Sequence, residues 1–276
     1  MCDSHWHWDH IGDPTTFPKS TDLVVGPGFK DNFLPGYPID PKSYMMDSHF
    51  RYVHPHPFSL QPPPLRHKDL HRSSGRNLVE IDFKQDPSLK AGRLPAHDFF
   101  GDGSFYLLDI PGHAIGQLGG LARTSSNPDT FILMGADVCH HGSAVRPSHW
   151  LHYPEDEPPL PLSDLEKIKA QHHGSCPGGE EFEKLNAEVN KTGEEPIFGP
   201  NVYVKEQDAI DSLTKVQYAD MQENIFFTFA HDATMEGVVD LFPQHANNWK
   251  EKGWKKTIMW RFLKDLMPAL DLVESN

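Results

Sequence analysis

The feature that most constrains this chain is the segment at residues 5–10, His-Trp-His-Trp-Asp-His, which has the pattern H-x-H-x-D-H. In an extended backbone, residues two positions apart point to the same side, so His5 and His7 can hold one metal ion together. Asp9 and His10 follow where the chain turns, and they can reach a second ion close by. Imidazole and carboxylate groups are ligands that suit zinc. The segment therefore predicts a site for two zinc ions per chain, which the rest of the fold must complete.

Three more metal-binding side chains follow predicted strands further along the chain. His113 comes after the strand at 104–110, in the sequence DIPGH. Asp137 ends the apolar run ILMGAD, and His231 ends the apolar run FFTFAH. Polar side chains at the carboxyl ends of strands form the sites of many α/β folds. These positions predict that all three residues contribute to the metal site.

The order of these four segments is similar to that of the metallo-β-lactamase superfamily. The phrases IPGHAIGQLGGL and FTFAHDATMEG resemble its lactonase branch and the fungal γ-lactamases. The resemblance implies an α/β fold, an αββα sandwich, formed as a single domain over residues 1–276. Because the family usually has several strands before H-x-H-x-D-H and only four residues precede it here, we expect a sandwich that lacks part of its first β-layer.

The resemblance also implies a role for each ligand. It implies that one ion is held by His5, His7 and His113 and that a second is held by Asp9, His10 and His231. The carboxylate of Asp137 would bridge the two ions. Zinc is the expected metal, and manganese, iron and cobalt accept similar ligands.

The function that this resemblance implies is hydrolysis of a cyclic ester or amide, a lactone or lactam, by a metal-bound hydroxide. Asp137 would orient the nucleophile and carry a proton to the leaving group. His140 stands where bacterial lactonases tend to have a tyrosine, and we expect it to donate a hydrogen bond to the substrate. Two alternatives stay open, an acyl thioesterase of the same superfamily and an inactive truncated paralogue.

The charge and the cysteine content limit the partners and the compartment. With 25 Lys and Arg against 39 Asp and Glu, the net charge is −14, which argues against binding a nucleic-acid backbone or an anionic membrane surface. The expected partner is a small-molecule lactone, lactam or thioester. Three cysteines without paired spacing do not indicate a disulfide framework, so we expect a reducing, cytoplasmic location. The sequence does not indicate an oligomeric state.

The hydrophobic pattern predicts the elements that carry these residues. Strands are expected at 78–84, 104–110, 117–123, 130–136 and 225–230, and helices at 179–191, 205–223 and 246–267. The first strand would bury Val79, Ile81 and Phe83 on one face, and the run at 130–136 would be buried on both faces. Residues 11–75 are expected to be rich in loops because they contain many prolines.

Overall fold

We describe the protein from a computed structural model of the 276-residue chain. It describes residues 1–18, 20–50, 76–154, 166 and 179–274. The chain forms two compact units. Unit 1 comprises Met1–Gln85 and Ala114–Leu118, and unit 2 comprises Asp86–His113 and Gly119–Asn276.

The described residues of unit 1 form a pair of parallel strands and three short helices. Its elements are β1 (Leu23–Val25), β2 (Leu78–Glu80), α1 (Trp8–Ile11), α2 (Phe29–Phe33) and α3 (Asp47–Phe50), with a 3₁₀ turn at Pro14–Thr16. Leu23 lies opposite Leu78 in the strand pair. The residues before H-x-H-x-D-H run along β1, where the backbone N–H of Asp3 donates to the carbonyl of Val24 over 3.1 Å. The first residues of the chain are thereby held in an extended conformation.

The core of unit 1 is a small apolar cluster. Its fully buried members are Leu23, Val25, Phe29, Phe33, Met45 and Phe50. Ala114–Leu118 belongs to unit 1 and contacts the rest of it through a close approach between two glycines. A Cβ on Gly26 would lie 2.1 Å from the carbonyl oxygen of Gly116, so no larger residue fits there. The backbone N–H of Leu118 then donates to the carbonyl of Ser4 over 2.7 Å.

Unit 2 is built on a six-stranded sheet in the order β3-β4-β5-β6-β7-β8. The strands are β3 (Lys90–Ala91), β4 (Leu94–Asp98), β5 (Phe105–Asp109), β6 (Leu118–Ser126), β7 (Asp129–Met134) and β8 (Ile225–Thr228). The pairs β3–β4, β4–β5 and β6–β7 are antiparallel, whereas β7 and β8 are parallel. Parallel neighbours need a long crossover, so the chain between β7 and β8 spans about ninety residues and contains two of the helices.

The helices of unit 2 cover the sheet and form a second core. Those with bounds in the described residues are α4 (Gly179–Glu188), α5 (Glu206–Asp220), α6 (Trp254–Ile258) and α7 (Met267–Glu274), with 3₁₀ segments at Gly142–Ala144, Ala233–Met235 and Arg261–Leu266. Helix α5 buries Leu213 and Val216 in the same cluster as Leu108 and Leu133 of the sheet. The segment around α6 buries Trp254 against Phe226 of β8.

The predicted α/β class is confirmed. Strands were expected where β5, β6, β7 and β8 lie, and helices where α4 and α5 lie, with boundaries that differ by a few residues. In the predicted helix at 246–267, five large apolar residues are buried: Trp249, Trp254, Ile258, Phe262 and Leu266. That tail is divided into α6, a 3₁₀ segment and α7, and it does not form the one long helix that was expected.

Some details of the predicted pattern were wrong. The strand predicted at 78–84 is β2, which ends at Glu80. Val79 is exposed, whereas Ile81 and Phe83 are buried. The run at 130–136 is not buried on both faces, because Met134 is 39% exposed. Strands β1, β3 and β4 were missed because each is short and β4 contains Pro95, which weakens the signal of a strand. None of the helices in the described ranges is long and apolar enough to cross a lipid bilayer.

Candidate metal site

The H-x-H-x-D-H segment brings three imidazole rings together within unit 1. His7 has an extended backbone and caps the N-terminus of α1, so the chain turns between the two halves of the motif as expected. Nε2 of His5 lies 2.9 Å from Nδ1 of His7. The ring centroids of His5 and His10 are 4.1 Å apart. Asp9 lies beside His10, with 3.7 Å between its Oδ2 and the ring Nε2.

Ser4 supports two of these rings through one hydroxyl group. Its Oγ lies 3.2 Å from Nδ1 of His5 and 3.0 Å from Nδ1 of His10. A hydroxyl oxygen has two lone pairs, so it can accept a hydrogen bond from both Nδ1–H groups. Each ring would then carry its proton on Nδ1 and present the Nε2 lone pair, as a metal ligand requires. The sequence prediction missed Ser4, although a hydroxyl directly before the first histidine was a visible signal.

The register of β7 and β8 brings Asp137 and His231 together within unit 2. Met134 pairs with Thr228 at the ends of these parallel strands, and each site residue lies three positions further on. The backbone N–H of Ala230 donates to the carbonyl of Ala136 over 2.9 Å, which extends the pairing toward the site. Nε2 of His231 lies 3.2 Å from Oδ2 of Asp137. The Asp137 carboxylate is 3% exposed, so it is held in a largely water-free position.

His113 reaches the same carboxylate from the end of β5. Gly112 has a φ of +128°, and a Cβ there would lie 2.2 Å from the backbone nitrogen of Ala209, so the bend before His113 requires glycine. Nδ1 of His113 lies 3.0 Å from the carbonyl oxygen of Val202. Since a carbonyl only accepts hydrogen bonds, Nδ1 carries the proton in this pair, and Nε2 of the neutral ring has a lone pair. That nitrogen lies 3.6 Å from Oδ2 of Asp137.

His140 is the third histidine at this carboxylate. Its Nε2 lies 3.3 Å from Oδ2 of Asp137. Its ring stacks on that of His231, with centroids 5.2 Å apart and an angle of 16° between the planes. Its Nε2 therefore faces the carboxylate, and the expected hydrogen bond to substrate stays a prediction.

The chemistry of this donor set fits a divalent cation. Asp137, His140 and His231 each offer one ligand atom, and these atoms lie within 4.8 Å of one another. The lone pair of His113 faces an electron-rich carboxylate oxygen, an arrangement that a cation between the two atoms would make favourable. A histidine whose second nitrogen donates to a backbone carbonyl is a common form of zinc ligand.

The structure therefore groups the predicted site residues in two sets. The set in unit 1 comprises His5, His7, Asp9 and His10, and the set in unit 2 comprises His113, Asp137, His140 and His231. Cys139 is adjacent to the second set and fully buried, and burial raises the pKa of its thiol well above the usual range.

Comparison with known proteins gives three informative relatives, all from fungi. A gamma-lactamase of Fusarium pseudograminearum is 41% identical over 271 residues, which make up 96% of this chain and 57% of that protein. A metallo-hydrolase of Annulohypoxylon moriforme is 38% identical, over 99% of this chain and 63% of that protein. A gamma-lactamase of Gibberella moniliformis is 41% identical over 217 residues, 77% of each chain. The chain thus spans about three fifths of the length of the first two relatives.

The other comparisons are less informative. No family model matches the chain. Among solved structures, an N-acyl homoserine lactone hydrolase with its product bound at the catalytic metal centre is 14% identical, with a TM-score of 0.42 over 88% of this chain and 59% of that one.

Proposed function

Since the chain belongs to the metallo-β-lactamase superfamily, we propose that it is a zinc-dependent hydrolase with two metal ions that opens a lactone or lactam ring. The observation that carries this proposal is the convergence of three ring nitrogens on Oδ2 of the buried Asp137. The gamma-lactamases among its relatives support a cyclic amide as substrate.

The proposed ligand set follows the order of the sequence motifs. We propose that His5, His7 and His113 hold one ion, that Asp9, His10 and His231 hold the other, and that Asp137 binds both. This assignment is supported in unit 1 by the closeness of His5 to His7 and His10. In unit 2 it is supported by the closeness of His231 to Asp137. Bound zinc would supply Lewis acidity, which activates water and polarises a carbonyl oxygen.

The chain's own residues would orient the reactants and move one proton. In the proposed reaction, the oxygen of a water molecule joins the carbonyl carbon and the ring C–O or C–N bond breaks. The carboxylate of Asp137 would take the proton from the attacking water and transfer it to the leaving oxygen or nitrogen. Burial suits this role, because a carboxylate shielded from bulk water keeps a fixed orientation toward its partners. His113, whose ring is fixed by the Val202 carbonyl, would hold its Nε2 toward the same site.

Two broader expectations accompany this proposal. We propose that residues 1–276 act as one catalytic domain, and that the protein works in a reducing compartment such as the cytoplasm. The second proposal is supported by the low cysteine content and by the free thiols of Cys2 and Cys139.

The proposal is tested by metal content and by ring opening, measured on the same samples. Elemental analysis of the purified chain should find about two zinc ions per chain. His5→Ala, in unit 1, should lose one ion, and Asp137→Ala, in unit 2, should lose both. His149→Ala is the matched control, because this histidine is exposed and its Nδ1 lies 3.1 Å from a carboxylate oxygen of Glu194, which belongs to neither set. Its metal content should equal that of the wild type.

Activity is then assayed on γ-lactams and γ-lactones. Hydrolysis should stop after treatment with a chelator and return when Zn²⁺ is added. Full activity in a chain shown to be free of metal would overturn the proposed mechanism. Zinc binding without hydrolysis of either ring class, but with hydrolysis of acyl thioesters, would favour the thioesterase alternative.

A further inference from the structure

We infer that His140 is itself a ligand of the metal ion held by Asp137 and His231. The inference rests on the proposed function, because it concerns the same metal site. It adds a residue to the ligand set that the sequence motifs imply.

The backbone after β7 brings Asp137 and His140 to the same side of a tight turn. Ala136 has a φ of +46°, a left-handed conformation that non-glycine residues rarely adopt. The N–H of Val138 donates to the carbonyl of Gly135 over 3.1 Å and closes the turn. A strained residue that is kept at the end of a strand is typical of segments that position a functional group.

The ring of His140 is placed as a ligand and not as a flexible surface group. Only 24% of its side chain is exposed, and it stacks on His231 while lying 5.1 Å from the ring of His113. Its Nε2 is directed at the same carboxylate oxygen as Nε2 of His231. The two histidines therefore approach Asp137 with the same ring nitrogen from adjacent positions.

Protons alone satisfy this arrangement poorly. Oδ2 of Asp137 faces three ring nitrogens, and His113 brings a lone pair to it because its proton is on the Val202 side. A divalent cation would attract the carboxylate and the ring lone pairs together. Asp137, His140 and His231 each offer that ion one ligand atom, and these atoms lie within 4.8 Å of one another. His140 would thus join the ligands already proposed for this ion.

The test separates a ligand from a supporting hydrogen bond. His140→Gln keeps an N–H donor near Asp137 but removes the imidazole lone pair. We expect its zinc affinity, measured by chelator competition, to fall by more than the about 10–100-fold that loss of a supporting hydrogen bond costs. The matched control is His141→Gln, because His141 is adjacent and similarly exposed but its Nε2 faces Asp265 at 3.4 Å. This control should keep the affinity of the wild type.

A second variant covers the possibility that His140→Gln folds poorly. His140→Cys replaces one zinc ligand by another, so it should retain metal. In the cobalt-substituted protein, it should add a sulfur-to-cobalt charge-transfer band that the wild type lacks. This band reports direct coordination and does not depend on activity.

The outcomes also distinguish this inference from the proposed function. The wild type could bind two ions while His140→Gln binds them with unchanged affinity and His140→Cys shows no new band. In that case His140 is not a ligand, but the proposed function stands. If the folded wild type binds no zinc or cobalt at all, both proposals fail. Loss of zinc in His140→Gln together with the new band in His140→Cys would support the inference.

Discussion

The hydroxyl oxygen of Ser4 lies 3.0 Å from Nδ1 of His10, six residues further along the chain. The same oxygen lies 3.2 Å from Nδ1 of the adjacent His5. One small side chain thus fixes the orientation of two rings that belong to the predicted metal motif. Because each contact engages Nδ1, it leaves Nε2 as the nitrogen that each ring presents to a ligand.

We expect Ser4→Ala to weaken zinc binding by about 10–100-fold, the usual effect of removing a group that orients metal ligands. The ligands themselves remain, so binding should be weakened but not abolished. Chelator competition measures the affinity. Ser4→Thr keeps the hydroxyl and is the matched control. Equal affinities in Ser4→Ala and the wild type would show that the hydroxyl does not position the rings.

Gly112→Ala should destabilise the protein by about 3 kcal/mol or more, because a backbone conformation that favours glycine coincides with a clash against the backbone of Ala209. Gly101 is the control, since its φ is +73° and a Cβ there would meet nothing within 4 Å. Gly101→Ala should cost only the about 1–2 kcal/mol of the left-handed conformation. Urea denaturation compares the two. Similar losses in both variants would contradict the clash.

Asp220→Ala should cost about 3–5 kcal/mol, because it leaves the buried guanidinium of Arg146 without its carboxylate. Nε and Nη2 of Arg146 donate to the two carboxylate oxygens over 2.6 and 2.7 Å. The exposed pair of Lys205 and Asp208, at 3.6 Å, is the comparison, and Asp208→Ala should cost less than about 1 kcal/mol. The double variant Arg146→Met/Asp220→Leu should recover part of the loss. A cost for Asp220→Ala no larger than that for Asp208→Ala would show that the buried pair is not needed.

Lys255 should make stability depend on pH in the alkaline range. Burial lowers the pKa of its ammonium from 10.5 to about 8, although Nζ donates to the carbonyls of Asp220, Gln222 and Ile225. Between these pH values the unfolded chain binds the proton more tightly than the folded one, so the contribution of Lys255 to stability rises with pH.

This pH dependence is measured as a difference between two proteins. The free energy of unfolding of the wild type minus that of Lys255→Met should increase from pH 8 toward pH 10.5. Lys256→Met, at an exposed neighbouring lysine, controls for the loss of one positive charge. A difference that stays constant or falls over this range would mean that the three carbonyl oxygens keep the ammonium charged.

Candidate metal ligands could be named from the sequence for a physical reason. Metal ligands must be specific residue types, so the identity and spacing of His5, His7 and Asp137 could be recognised in the sequence. The partner that fixes the His113 ring is the backbone carbonyl of Val202, 89 residues away, and a carbonyl is present at every residue and leaves no signal. Long-range packing also decides which side chains are covered, which is why the pattern failed at Val79.

The direction of His140 shows the same limit within a short segment. Its position three residues after Asp137 was plain, but its ring orientation depends on the turn at Ala136 and on stacking against His231 from the next strand. The sequence could suggest that His140 belongs to the site. It could not show which partner its Nε2 faces.

The equal offset of Asp137 and His231 from the paired ends of β7 and β8 also bears on how such a protein can diversify. Their spacing follows from the strand-to-strand repeat of about 4.7–4.9 Å, which the hydrogen bond from Ala230 to Ala136 continues past the strand ends. Insertions in the loops that follow would reshape the surroundings of a substrate while the two side chains kept their separation. The separation of these two side chains and the shape of their surroundings can therefore vary independently.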